Sequence, residues 1–182
     1  MGGQDCPDVA ASYSNIGLVY NRQGQYERAL EYYQKALEIH IKVSGQDHLD
    51  VAKSYTGIGV VYNRQGQYQR ALEYYQKGLE IDMKVSGQDH PDVATSLHNI
   101  GVVYKKKGDF ENALSQYQKA LEIRTRVFGS DHPDVAISYN NIGAVYRKQG
   151  KYEEALEVYT KSLYIKTRIY GGDNHGGPGR KL

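Results

Sequence analysis

The chain has no tryptophan, two phenylalanines and a single cysteine, Cys6. One cysteine cannot close an internal disulfide, so the fold does not rest on a covalent staple, which fits a reducing compartment. Long apolar runs are missing as well, which excludes a hydrophobic helix spanning a bilayer. The opening stretch, MGGQDCPDVA, lacks the basic-then-apolar order of a secretory leader. These absences lead to the expectation of a soluble, cytoplasmic protein with no membrane association. Net charge is nearly absent too: 23 Lys and Arg against 21 Asp and Glu leave +2, which by itself argues neither for nor against nucleic acid. Catalytic signatures are also lacking. There is no serine-centred elbow, no phosphate-cradling glycine loop and no cysteine with a histidine base. The GGPG at 176–179 has no Lys-Ser/Thr after it, and the paired acids Glu153 and Glu154 fall on a helix surface. The expectation is a protein that is not an enzyme and needs no cofactor.

What the sequence has is repetition. QGQYERALEYYQKALEI from Gln23 returns 42 residues later as QGQYQRALEYYQKGLEI from Gln65. It returns again as KGDFENALSQYQKALEI from Lys107 and QGKYEEALEVYTKSLYI from Gln149. Most of the eighteen tyrosines fall at shared phases of this period, so they are structural parts used several times. A fixed period of this length is the mark of a stacked array, in which each unit buries its apolar face against the next. Taking the phase from Pro7 gives repeats 7–48, 49–90, 91–132 and 133–174 within an array over 1–174. The Gly-rich segment 175–182 is expected to be a flexible tail.

Each repeat reads as two helices with no competing strand signal. Asp89 is placed to cap the first helix, with Pro91 in its first turn and Asp92 three residues on at a capping-box position. Val93, Leu97, Ile100 and Tyr104 then recur at helical spacing. Gly24, Gly66, Gly108 and Gly150 end the first helices. The second runs from about Tyr26 to Val43, with Ala29, Leu30, Tyr33, Ala36 and Leu37 on its apolar face, and Gly45 stops it. Gly17, Gly59, Gly101 and Gly143 sit inside helices, where glycine costs about 1 kcal/mol relative to alanine. Paying that cost at every repeat implies that a Tyr or Leu of the second helix needs the space.

The pattern resembles the tetratricopeptide repeat. The residues that carry the likeness are Ile16-Gly17, Tyr20, Gly24, Tyr26, Ala29, Tyr33 and Ala36, with close matches in the other repeats, and Tyr13 stands where the family often has tryptophan. The 42-residue period and the GxDHPDVA junction are similar to kinesin light chain repeats. The resemblance implies an all-α, right-handed superhelical solenoid of four helix-turn-helix repeats, with first helices lining the concave side and second helices the convex side.

The Asp47-His48, Asp89-His90 and Asp131-His132 pairs invite a metal reading. The acids, however, sit where capping wants them, and the loops of packed repeats stand roughly 10 Å apart, too far to share one ion. No metal site is expected.

A surface remains. On the first helices Ala11, Ser14, Asn15, Leu18, Asn21 and Arg22 share a face at three- and four-residue spacing, opposite Tyr13, Ile16 and Tyr20. The later copies of that face bring Val60, Asn63 and Arg64, then His98, Asn99, Val102, Lys105 and Lys106, then Asn140, Asn141, Arg147 and Lys148. After the first-turn aspartate no first helix contains an acid, and each carries a cation near its end. A cation there complements the helix dipole, but the dipole does not account for the missing acids. Asparagine amides can both donate to and accept from an extended backbone. The likeness to kinesin light chains implies cargo-peptide contact for Asn15, Asn99 and Asn141, with Gly57 the departure. The phase that forms the chaperone-binding clamp of the family holds Leu18, Val60, Val102 and Ala144, which argues against an acidic chaperone tail.

The expected function is a protein-interaction scaffold holding an extended acidic or amphipathic peptide in a basic, Asn-containing groove. The alternative is a self-assembling array stacking head to tail through Tyr159, Leu163, Ile165 and Ile169. Nucleic acid is the weakest reading, because acids interrupt the basic residues and the aromatics sit at packing phases rather than on stacking platforms.

Overall fold

A computed structural model describes residues 6–171; the expected tail at 175–182 lies outside the described residues. Eight helices follow the 42-residue period: α1 (Pro7–Arg22), α2 (Tyr26–Ser44), α3 (Leu49–Arg64), α4 (Tyr68–Ser86), α5 (Pro91–Lys107), α6 (Phe110–Phe128), α7 (Pro133–Lys148) and α8 (Tyr152–Gly171). Each helix packs against the next along the chain, most extensively within a repeat, and α1 also touches α3. This order of contacts is that of a helical solenoid, in which units meet only their neighbours.

The helix starts correct the expected cap. The N-cap residues of α3, α5 and α7 are His48, His90 and His132, not the preceding aspartates. In each, imidazole Nδ1 accepts the backbone N–H two residues on, at 3.2 Å. The ring nitrogen thus does what a capping carboxylate does, satisfying one of the N–H groups that a helix start leaves over. The aspartates serve another purpose. Asp47, Asp89 and Asp131 form ion pairs with Lys84, Arg126 and Arg168, each 37 residues downstream on the second helix of the next repeat. They bracket successive repeats together.

The first helices end as expected. Gly108 has φ 80°, and a side chain there would be held in the left-handed region, which L residues rarely adopt. Inside the repeats tyrosine fills the room left by glycine. A Cβ on Gly59 would stand 2.8 Å from the Tyr75 ring, and one on Gly101 2.8 Å from Tyr117. Tyr75 and Tyr117 are each 1% exposed and anchor the two central apolar clusters with Val93, Ile100, Ile142 and Val145. Other tyrosines hold the two helices of a repeat face to face: Tyr20 stacks on Tyr32 and Tyr62 on Tyr74, both with ring centroids 5.4 Å apart.

Candidate functional site

The first helices of three successive repeats share one surface, and a pocket of about 380 Å³ opens between them. Asn15 and Leu18 of α1, Lys53, Thr56, Gly57 and Val60 of α3, and Thr95 and Ser96 of α5 line it. The second helices contribute Tyr33 and Asp82. Gly57, where the asparagine series breaks, has a steric reason: a Cβ there would lie 2.7 Å from Tyr33 Cε1. The Tyr33 ring occupies that space.

The residues expected to bind a peptide divide into groups. Asn15 and Val60 line the pocket. Arg22, Arg147 and Lys148 are exposed at helix ends. Arg64 Nη1 donates to the Asn21 carbonyl at 3.1 Å, and Lys106 Nζ donates to Asn63 Oδ1 at 3.0 Å. These two cations therefore reach back to the end of the preceding repeat's first helix. Asn21, read as part of the open face, is buried. Asn141 turns to its own helix, with Nδ2 donating to the Ile137 carbonyl at 2.9 Å. Asn99, Val102 and Asn140 are half-buried, and Val102 packs against the cluster of Tyr117 and Ile142. His98 lies against the Tyr117 ring with its Nδ1 buried and unpartnered. Burial first, then the charges of Arg124 and Lys105, bring its pKa down to about 4, so it is neutral at pH 7. Lys105 is held below the ordinary lysine value by burial, then by Lys106 and Lys148. Lys105 thus feels its neighbour Lys106 and, from α7, Lys148.

A profile of the tetratricopeptide repeat matches residues 8–84, 61–124 and 92–168. The chain belongs to the tetratricopeptide repeat family. Among solved structures it is similar to BtubC (BKLC) from P. vanneervenii, with 27% identity, a TM-score of 0.83, and coverage of 97% of this chain and 70% of that one. It is also similar to a putative kinesin light chain with nearly identical TPR-like repeats from Podosopora anserina, at 23% identity and TM-score 0.74 over 91% of this chain and 79% of that one. The apo form of RapI superposes with TM-score 0.74 at 24% identity, covering 88% of this chain and 56% of that one. A comparison with curated protein sequences found no match. Tetratricopeptide repeats are protein-interaction scaffolds, typically without catalysis, and the likeness to the putative kinesin light chain is one of fold. Among the described residues, no helix is long and apolar enough to cross a membrane.

One buried polar position of the tetratricopeptide array escaped the first-helix pattern. A second-helix residue reaches the serine of the next first helix at three successive junctions: His40 Nδ1 to Ser54 Oγ at 2.9 Å, Ser96 Oγ to Asp82 Oδ2 at 2.8 Å, and Arg124 Nη1 to Ser138 Oγ at 2.8 Å. All three residues are buried. The resemblance assigned second helices to the outer side, so Asp82 was not counted in the groove. A signal was present all the same: phase for phase the position reads His40, Asp82, Arg124 and Lys166, four chemistries within near-copied helices.

The two end faces carry the apolar residues that meet at every internal junction. Ile16 and Val19 are 39% and 53% exposed, whereas Ile58 and Val61 at the same phases are 2% and 0%. On α8, Leu163 is 61% exposed, against 4% for Leu37. Of the other expected self-association residues, Ile165 is buried against Val135 and Ala136, and Ile169 packs on the same cluster. Tyr159 fills the space beside Gly143. The outward face of α8 consists instead of Tyr152, Leu156, Leu163 and Tyr164.

Proposed function

We propose that this array is a non-catalytic scaffold that holds an extended, amphipathic peptide with acidic side chains along its first-helix groove. The observation that carries the proposal is that Lys106 and Lys148 are exposed and Lys105 half-buried at the C-terminal ends of α5 and α7, helices that carry no acid after their first turn. An acidic segment lies over the cations, and apolar side chains rest on Leu18 and Val60. Asn15 and Asn99 bond the peptide backbone. The test is fluorescence anisotropy of a labelled glutamate- and leucine-rich peptide. Binding weakens as salt rises, because exposed charges are screened beyond about 8–10 Å at physiological ionic strength. Lys106→Glu with Lys148→Glu abolishes it while circular dichroism is unchanged. Unaltered affinity in that double variant sinks the reading.

The end faces favour a second reading, head-to-tail association of copies, because Ile16 and Val19 on one face and Leu156 and Leu163 on the other are the counterparts of an internal junction. A contact of this type does not close on itself and propagates. Sedimentation over a hundredfold concentration range decides it, with Val19→Lys and Leu163→Lys reducing association. A constant monomer mass refutes it.

A further inference from the structure

The geometry points to Asp82 as a cation-accepting specificity residue: a Lys or Arg side chain of the peptide ligand enters the pocket formed by the first helices of repeats one to three and pairs with the Asp82 carboxylate. Asp82 is 6% exposed and lines the pocket. It makes one hydrogen bond, from Ser96, and no ion pair among the described residues. Two other charged groups line the pocket: Lys53, whose ammonium is already paired with Asp50 at 3.1 Å, and Asp92, a half-exposed carboxylate 3.5 Å from His90 Nδ1. That leaves Asp82 as the buried acid without a charged partner among the described residues. A buried carboxylate with a single donor and no counter-ion is costly, and a ligand cation recovers that cost.

The serine does not explain the aspartate. Ser54 and Ser138 each donate to the carbonyl four residues back, at 3.0 Å, and leave their oxygen to the second-helix residue. Ser96 instead turns its hydrogen to Asp82. The serine adapts to histidine, carboxylate or guanidinium alike, so packing at the junction sets none of the three. What varies is the charge presented: a carboxylate at Asp82 and a guanidinium at Arg124, one repeat further along. The walls suit a long cationic side chain, with the stem against Leu18, Val60 and Tyr33 and the charged head at Asp82. Paired with the cations of repeats three and four, this gives the groove a direction, and the ligand a basic anchor on one side of its acidic segment. That last step rests on the proposed peptide-binding function; the cation site does not.

Two measurements separate them. First, n-butylguanidinium, the arginine side chain alone, is titrated into the isotope-labelled full chain, with n-butylurea as the neutral control. Amide shifts at Thr56, Asp82 and Ser96 move with the guanidinium and not with the urea, and Asp82→Asn removes the response. Second, a single arginine is moved through each position of the glutamate- and leucine-rich peptide and compared with norleucine. One position gains about tenfold in affinity, the scale of one charge-assisted hydrogen bond. Asp82→Asn loses that gain but keeps the norleucine affinity. Asp82→Arg, a residue that the equivalent niche of repeat three accommodates, turns the preference to glutamate. Guanidinium binding without any peptide binding leaves the cation site standing and removes the peptide function. Absence of a guanidinium-specific shift, or equal responses to guanidinium and urea, overturns the assignment to Asp82. A norleucine preference at the sensitive position does so too.

Discussion

The Tyr117 ring occupies the space a side chain at Gly101 would need, 2.8 Å from where a Cβ would stand. Both residues are buried, and the ring is 1% exposed, so neither has room to retreat. Gly101→Leu is therefore expected to lower stability by about 1–3 kcal/mol or more, the cost of overpacking a close contact. Gly108→Asn keeps a residue that tolerates the left-handed cap and should cost far less. Urea unfolding of the two variants checks the order. Equal midpoints would mean that Tyr117 yields freely. The double variant Gly101→Leu, Tyr117→Leu should lose less than the sum of its two single changes, because residues in contact do not add independently.

Helix capping gives a second prediction. His90 Nδ1 accepts from the Asp92 N–H, whereas Asp89 forms an exposed ion pair with Arg126. His90→Ala should cost about 1 kcal/mol, the usual loss for a cap. Asp89→Ala should cost no more than about 1 kcal/mol and become neutral in high salt, as exposed pairs do. Melting temperatures at two salt concentrations distinguish them. A larger, salt-independent loss at Asp89 would restore the aspartate as the cap.

The contrast between these pairs shows what the sequence made legible. Gly101 and Tyr117 recur at fixed phases, so the periodicity alone marked a small residue and a large one that had to meet. Helix ends were legible at Gly108 and its counterparts, because few residues take positive φ. The cap was misread because aspartate is the commoner capping residue and because Arg126, its actual partner, is 37 residues away, beyond the reach of any local pattern. Asp82 was missed for a related reason. It belongs to a second helix, and only the packing of α4 on α5 brings it to Ser96 and into the pocket. On α8 the apolar residues were legible, but which of them face outward was not: Ile165 and Leu163 are two residues apart, and one is 5% exposed, the other 61%.

Acid should weaken the fold in a window set by His98. Its pKa is brought to about 4 by burial and by Arg124 and Lys105, whereas an unfolded histidine titrates near 6.5. Between those values the unfolded chain binds a proton that the folded chain refuses, so stability falls as pH drops from about 6.5 towards 4. His40, also lowered chiefly by burial, acts in the same direction. Asp82, raised by burial, acts in the opposite one, since its protonation favours the folded form. His98→Asn, which installs the residue that repeat four carries as Asn140, should flatten the fall in melting temperature between pH 7 and pH 4. An unchanged slope would show that His98 is protonated without penalty.

Arg124 should be replaceable at a gain. The side chain is 8% exposed, and among the described residues its only hydrogen bond is to Ser138 Oγ and it forms no ion pair. Burial is the main cause holding its pKa below the ordinary arginine value, with Asp134 partly offsetting it. Removing a buried charge usually orphans its partner, but here Ser138 already donates to the Asp134 carbonyl at 3.0 Å and loses only an incoming bond. Arg124→Leu therefore exchanges a poorly solvated cation for apolar contact with little left unsatisfied, and should raise stability by about 1 kcal/mol. A rise in the urea midpoint with unchanged slope is the expected result. A loss of stability instead would mean that the Ser138 bond outweighs the burial of the charge, and Arg124 would then be a fastener between repeats three and four.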